Sequence, residues 1–97
     1  MSANMGLRPT KACIKAMREA FPEDATIELI FMDDLYRSIP RGMKGQVEQV
    51  DDMGTIHTHW ENGSSLGAVW NADVVRNVAT GISSNTFWDD YRPSATV

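Results

Sequence analysis

The residues best suited to chemistry lie close together. Asp51-Asp52 precede His57-Thr58-His59, and Trp60-Glu61 follow at once. A His-x-His step on an extended strand sets two imidazoles side by side. Glu61 on the same face, or Asp51 and Asp52 from the preceding turn, could complete a metal site. A structural zinc site wants four ligands, and a catalytic one wants three and an open position. Spacing supplies only two here, a weak signal. The histidines therefore read as polar positions on a strand face, and no metal is expected.

The acid pairs Asp33-Asp34, Asp51-Asp52 and Asp89-Asp90 invite a two-carboxylate or Mg²⁺ reading. Neighbouring strand residues point to opposite faces, and acids in turns hydrogen-bond backbone amides for structural reasons alone. Gly42-Met43-Lys44-Gly45 is too short for a phosphate loop and leads into a strand, not a helix. Ser64 and Ser65 sit in a hairpin with no evident base. The chain reads as non-enzymatic, without catalytic residues or a cofactor.

The elements that must carry these residues follow from periodicity and punctuation. Thr10 after Pro9 is an N-cap, and Cys13, Met17, Ala20 and Phe21 share one face of a helix that Pro22 ends at Phe21. Three turns of helix are not stable alone in water, so this one must pack on something. Thr26 to Met32 is a first strand with Ile27, Leu29 and Phe31 on one face, and Asp33 to Gly42 is a long loop. Gln46 to Val50 is a second strand, Asp51 to Gly54 a turn, and Thr55 to Glu61 a third strand. On that third strand Ile56, Thr58 and Trp60 point inward, and His57 and His59 outward. Asn62-Gly63 marks a hairpin into a fourth strand, Ser64 to Trp70, with Trp70 half buried at its end. A strict two-residue loop puts Leu66 on the histidine face; a β-bulge near Ser64-Ser65 returns it inward. After a one-turn corner at Asn71-Ala72-Asp73, Val74 to Val78 closes the set.

That order is a mainly β, SH3-like small barrel of about five strands preceded by one amphipathic N-terminal helix. Residues 1–9 read as a flexible N-terminus, 10–79 as one domain, and 80–97 as a Ser/Thr/Asn-rich tail, docked or disordered. Trp88 and Tyr91 have no local reason to stand in a polar tail. Either the tail folds back onto the barrel, or it is an acidic-aromatic segment that orders on a partner. The candidate binding residues are accordingly Asp33, Asp34, Tyr36 and Arg37 in the long loop, Asp51, Asp52 and His57 around the turn, and Trp88, Asp89, Asp90 and Tyr91 in the tail.

Composition sets outer limits. The chain has 97 residues, 42% hydrophobic and 23% charged, and a net charge of −4, with a pI near 4.9. Its size suits one modest core. The negative balance argues against direct nucleic-acid binding, which needs clustered Lys and Arg; Arg37, Arg41 and Lys44 form the one basic cluster, and acids flank it. One cysteine, Cys13, excludes an internal disulfide and a cysteine zinc knuckle, and reads as a buried small hydrophobe. The first dozen residues lack the apolar stretch of a signal peptide, and no run approaches the twenty or so apolar residues of a membrane span. A bacterial (host) cytoplasmic location is expected.

Four stretches together carry a family resemblance: Met32-Asp33-Asp34, Ile39-Pro40-Arg41-Gly42-Met43-Lys44-Gly45-Gln46-Val47, Val50-Asp51-Asp52-Met53-Gly54-Thr55-Ile56-His57 and Trp60-Glu61-Asn62-Gly63-Ser64-Ser65-Leu66. They resemble a domain-of-unknown-function family of small proteins from bacteriophages, plasmids and conjugative elements, found chiefly in Gram-positive bacteria. The likeness runs from about Arg18 to Asp73. Leu35-Tyr36 stand where that family tends to have a proline, Glu61 replaces an aspartate, and His59 is outside the pattern. The resemblance implies an SH3-like barrel, makes His57 a family feature, and supplies no activity.

The expectation is a non-enzymatic protein-interaction module of a phage or other mobile element, its partner a protein, such as a basic host or phage nucleoprotein. A sharper version is an inhibitor of a host defence nuclease, anti-CRISPR-like, whose acids occupy a nucleic-acid channel. A third is a nucleic-acid-binding small barrel. The strand edge beside the hairpin also offers a route to a homodimer.

Overall fold

The computed structural model describes residues 7–33 and 39–89 and the backbone of 91–93. Thr10 opens helix α1 (Lys11–Ala20) as its sequence context dictates. Its hydroxyl accepts the Cys13 amide at 3.0 Å, and Phe21 closes the last turn by donating its amide to Met17. The helix buries Cys13, Ile14 and Met17 on one side and leaves Lys11, Lys15 and Arg18 to solvent. Each such apolar side chain contributes about 1.5–3 kcal/mol on burial, which is what holds so short a helix in place.

The helix lies between two sheets. The larger is antiparallel and four-stranded, in the order β4-β3-β2-β5, with β2 Thr26–Phe31, β3 Lys44–Val50, β4 Ile56–Trp60 and β5 Val74–Asn77. The smaller pairs β1 (Leu7–Pro9) with β6 (Tyr91–Pro93), Leu7 facing Pro93 and Arg8 facing Arg92. A helix was expected to begin the fold. A strand precedes it instead, because residues 7–9 find their ladder partner at the far end of the chain.

Alternation holds along β4, where Ile56, Thr58 and Trp60 are buried. It breaks where the ladder shifts. Between Val47 and Gln49 the register slips by one residue, so Val47 and Val50 both face the core and Glu48 and Gln49 both face out. A second slip between Leu29 and Phe31 turns Phe31 out of the core, to 41% exposure, although sequence alternation placed it with Ile27 and Leu29.

Ser64 to Trp70 is not a continuous strand. Trp60 donates its amide to the Ser64 carbonyl, and Ile56 and Ala68 exchange both backbone bonds. Between these points the Leu66 carbonyl accepts the Trp60 indole N–H at 2.7 Å, and the Leu66 amide turns to the Ser64 hydroxyl. Side chains have taken the groups a ladder needs. The hairpin loop is three residues long, Glu61-Asn62-Gly63, with Gly63 at φ 88° and its amide bonded to the Trp60 carbonyl. This is the turn-plus-bulge geometry that shifts register by one, and it packs Leu66 against the core.

That core joins Cys13 and Met17 from α1, and Phe21 at its C-cap, to Ile27, Leu29, Val47, Val50, Ile56, Trp60, Ala68, Trp70 and Val75. Trp70 was expected half buried, yet it is 2% exposed, because the segment after β5 covers it. There a 3-10 turn (Ser84–Phe87) presents one carbonyl, that of Phe87, to the Cys13 thiol at 3.3 Å and the Trp70 indole at 3.4 Å. The Phe87 ring meets Phe21 edge-on at 6.3 Å. Among the described residues no helix is long and apolar enough to cross a membrane.

Candidate functional site

The turn after β3 positions three of the candidate residues. Asp51 caps the turn on itself: Oδ1 accepts the Met53 and Thr55 amides at 2.9 and 3.0 Å, and Oδ2 lies 2.8 Å from His57 Nε2. Gly54, at φ 83°, lets the chain reverse against the face of Trp70. Burial pushes the Asp51 carboxyl up, but His57 and the Thr55 and Met53 amides outweigh it and hold it below the usual carboxylate range. Asp52, beside it, receives Arg18 Nη2 at 3.1 Å, while Arg18 Nε donates to the Val50 carbonyl at 3.0 Å. The helix and the turn are thus tied by one arginine that sequence reading did not connect to either acid.

His59 pairs with a different carboxylate, Glu48, at 2.7 Å. Glu48, outward-facing at the point where the β3–β4 register shifts, makes that contact. With each imidazole committed to its own acid, the two histidines do not converge. Among the described residues no group of three or more His, Cys, Asp or Glu is placed to hold a metal ion.

The base of the long loop forms a second region. Asp33 is exposed, and its amide donates to Oδ1 of Asp73 at 2.7 Å, while Oδ2 of the same carboxylate accepts the Val69 amide at 2.8 Å. Asp73 is buried and so clamps the loop to the corner before β5, where Asn71 takes φ 66°. The returning limb is pinned by buried Ile39 and by the Gly42 amide on the Leu29 carbonyl. Around this base Ile30, Phe31 and Val69 are exposed, and the Arg41 guanidinium lies 5.8 Å from the Phe31 ring centroid. Sequence reading named the loop and missed Asp73, whose place in a polar corner was the one available signal. It also put Phe31 on the face of Ile27 and Leu29, which the structure does not.

The remaining candidates divide. Asp34, Tyr36, Arg37 and Asp90 lie outside the described residues, and of Tyr91 only the backbone is described, opposite Pro9. Trp88 is partly buried against the core, and Asp89 is exposed. The structure therefore joins Asp51 to His57 and Asp52 to Arg18, holds Asp33 separately through Asp73, and sets Trp88 beside the 3-10 turn.

Comparison with family models matches residues 10–78 to the family described as Domain of unknown function (DUF4314). The chain belongs to the DUF4314 family. The match takes in α1, the four-stranded sheet, both loop regions above and His57; it leaves out β1, the 3-10 turn and β6. Comparison with curated proteins and with solved structures finds no match.

Proposed function

We propose that this DUF4314 chain is a non-catalytic protein-interaction module of a mobile genetic element, built on an SH3-like barrel. Its contact surface is the base of the long loop. The observation that carries this reading is the exposure of Ile30, Phe31 and Val69 around the loop base, with Arg41 over the Phe31 ring and the Asp33 and Val69 amides both held by Asp73. Large apolar side chains grouped at the end of a strand and rimmed by charge mark contact surfaces, and a loop held on a rigid sheet is where small β domains place them. The barrel assignment is supported by the succession β5-β2-β3-β4 with residues 64–68 laid along β4. The mobile-element origin is supported by the sequence resemblance.

The test is affinity capture from a bacterial host lysate, with and without nuclease treatment, comparing wild type with Phe31→Glu and Arg41→Glu. A stoichiometric protein retained after nuclease by wild type and lost by both variants is the expected result. A partner that survives both substitutions but is lost on reversing Asp33 and Asp52 moves the contact to the acids, as a nuclease inhibitor requires.

A further inference from the structure

A different surface carries an unassigned charge pattern. A cleft of about 400 Å³ opens between β1, the start of α1 and the Asp52 turn, lined by Arg8, Pro9, Lys11, Ile14, Arg18 and Asp52. Among the described residues that line it are three cations and one acid, in a chain of net charge −4; that acid, Asp52, pairs with Arg18, which leaves Arg8 and Lys11 as the cations facing the cleft. Arg8, one of the lining residues, has its Nε buried with no hydrogen-bond partner among the described residues. A guanidinium cannot shed its proton to relieve this, and an unmet buried donor on a charged group is costly. No acidic residue in the first turn of α1 answers the positive end of the helix.

We propose that this cleft binds a phosphate ester. The Arg8 guanidinium and the Lys11 ammonium together match the several acceptor oxygens of a phosphate group. Pro9 and Ile14 supply an apolar wall for the organic remainder, and the volume suits a small ligand. The source is either a free mononucleotide or the backbone of a single strand. The site shares no residue with the loop base, so the two readings stand or fall separately.

Titration calorimetry on the full chain decides it, with inorganic phosphate, a nucleoside monophosphate and a short single-stranded DNA as probes. At least one probe binds wild type with a millimolar Kd or tighter. Arg8→Gln and Lys11→Gln each weaken it about tenfold, the effect of one lost charge-assisted bond, while Lys15→Gln, on an exposed position of α1 outside the cleft, leaves it unchanged. Binding of the monophosphate as tightly as the DNA assigns a free ester. DNA binding that is tighter and falls steeply with salt assigns a strand. Should Arg8→Gln disturb the β1–β6 pair, the exposed Lys11 gives the same readout without that risk. Absence of binding by all three probes at about 10 mM, far above a millimolar Kd, overturns the proposal, as does equal binding by Lys11→Gln and Lys15→Gln.

Discussion

Asp51 faces His57 with one carboxylate oxygen, at 2.8 Å, and holds its own turn with the other. One side chain therefore fixes both the reversal after β3 and the outward face of β4. Its carboxyl is held below the usual range in the fold. The folded state thus binds this proton less readily than the unfolded chain, for which the value is about 3.9. The stabilisation is complete above that value and is lost as pH falls through the lower folded value. Asp51→Asn should cost about 1 kcal/mol at pH 7, kept small because the pair is about one-third exposed. It should also flatten the loss of stability between about pH 5 and pH 3. Urea midpoints at the two pH values check both statements. An unchanged acid-side slope in the variant would assign that slope to another carboxylate.

Two glycines with left-handed φ separate strain from crowding. A Cβ at Gly54 would sit 2.9 Å from Trp70 Cβ, whereas one at Gly63 would meet nothing within 4 Å. Gly63→Ala should cost about 1 kcal/mol from backbone strain alone, and Gly54→Ala about 2–4 kcal/mol, since the buried Trp70 must also give way. Equal losses in chemical denaturation would mean that Trp70 shifts freely.

Asp73→Ala leaves two amides, those of Asp33 and Val69, without their acceptor. A loss of about 2–3 kcal/mol is expected. The loss should be accompanied by faster amide exchange at Asp33 and Val69, with the β3–β4 ladder still protected. Uniformly faster exchange would show that the clamp serves the whole domain and not the loop.

Cys13 is fully buried under Phe87, so its reaction with a thiol reagent reports opening of the segment after β5. Phe87→Ala removes the edge-on contact with Phe21 and should raise the labelling rate about tenfold or more, the factor that follows from about 1.4 kcal/mol of lost packing. Labelling that tracks only global unfolding would place the seal elsewhere.

Much of the fold could be read because it is set locally. Thr10 and Pro22 bound α1, the alternation of Ile56, Thr58 and Trp60 orients β4, and Asn62-Gly63 marks the hairpin. What escaped reading depends on partners distant in sequence. Three residues at Leu7–Pro9 have no strand signal until residues 91–93 lie beside them. Phe31 turns out of the core only because β2 slips against β5. The fourth strand loses its ladder to an indole N–H from a neighbouring element. For the candidate site, Asp51 and His57 were legible as residue types, and their contact follows from the turn between them. Arg18 was not, since nothing local in a helix points to a turn more than thirty positions away.

The β1–β6 pair also gives the domain a mechanical character. Leu7 and Pro93 lie side by side at the outer end of an antiparallel ladder, so tension applied through the two ends of the chain loads its hydrogen bonds one after another. Such a ladder peels at low force, where a sheared one resists. It is also brief, and Pro9 and Pro93 have no amide to contribute to it. Under pull it opens first, and the load then passes to the 3-10 turn that seals Cys13 and Trp70, with the four-stranded sheet behind it. The clasp acts as a fuse in series with the sheet, giving way before the element that carries the loop base is strained.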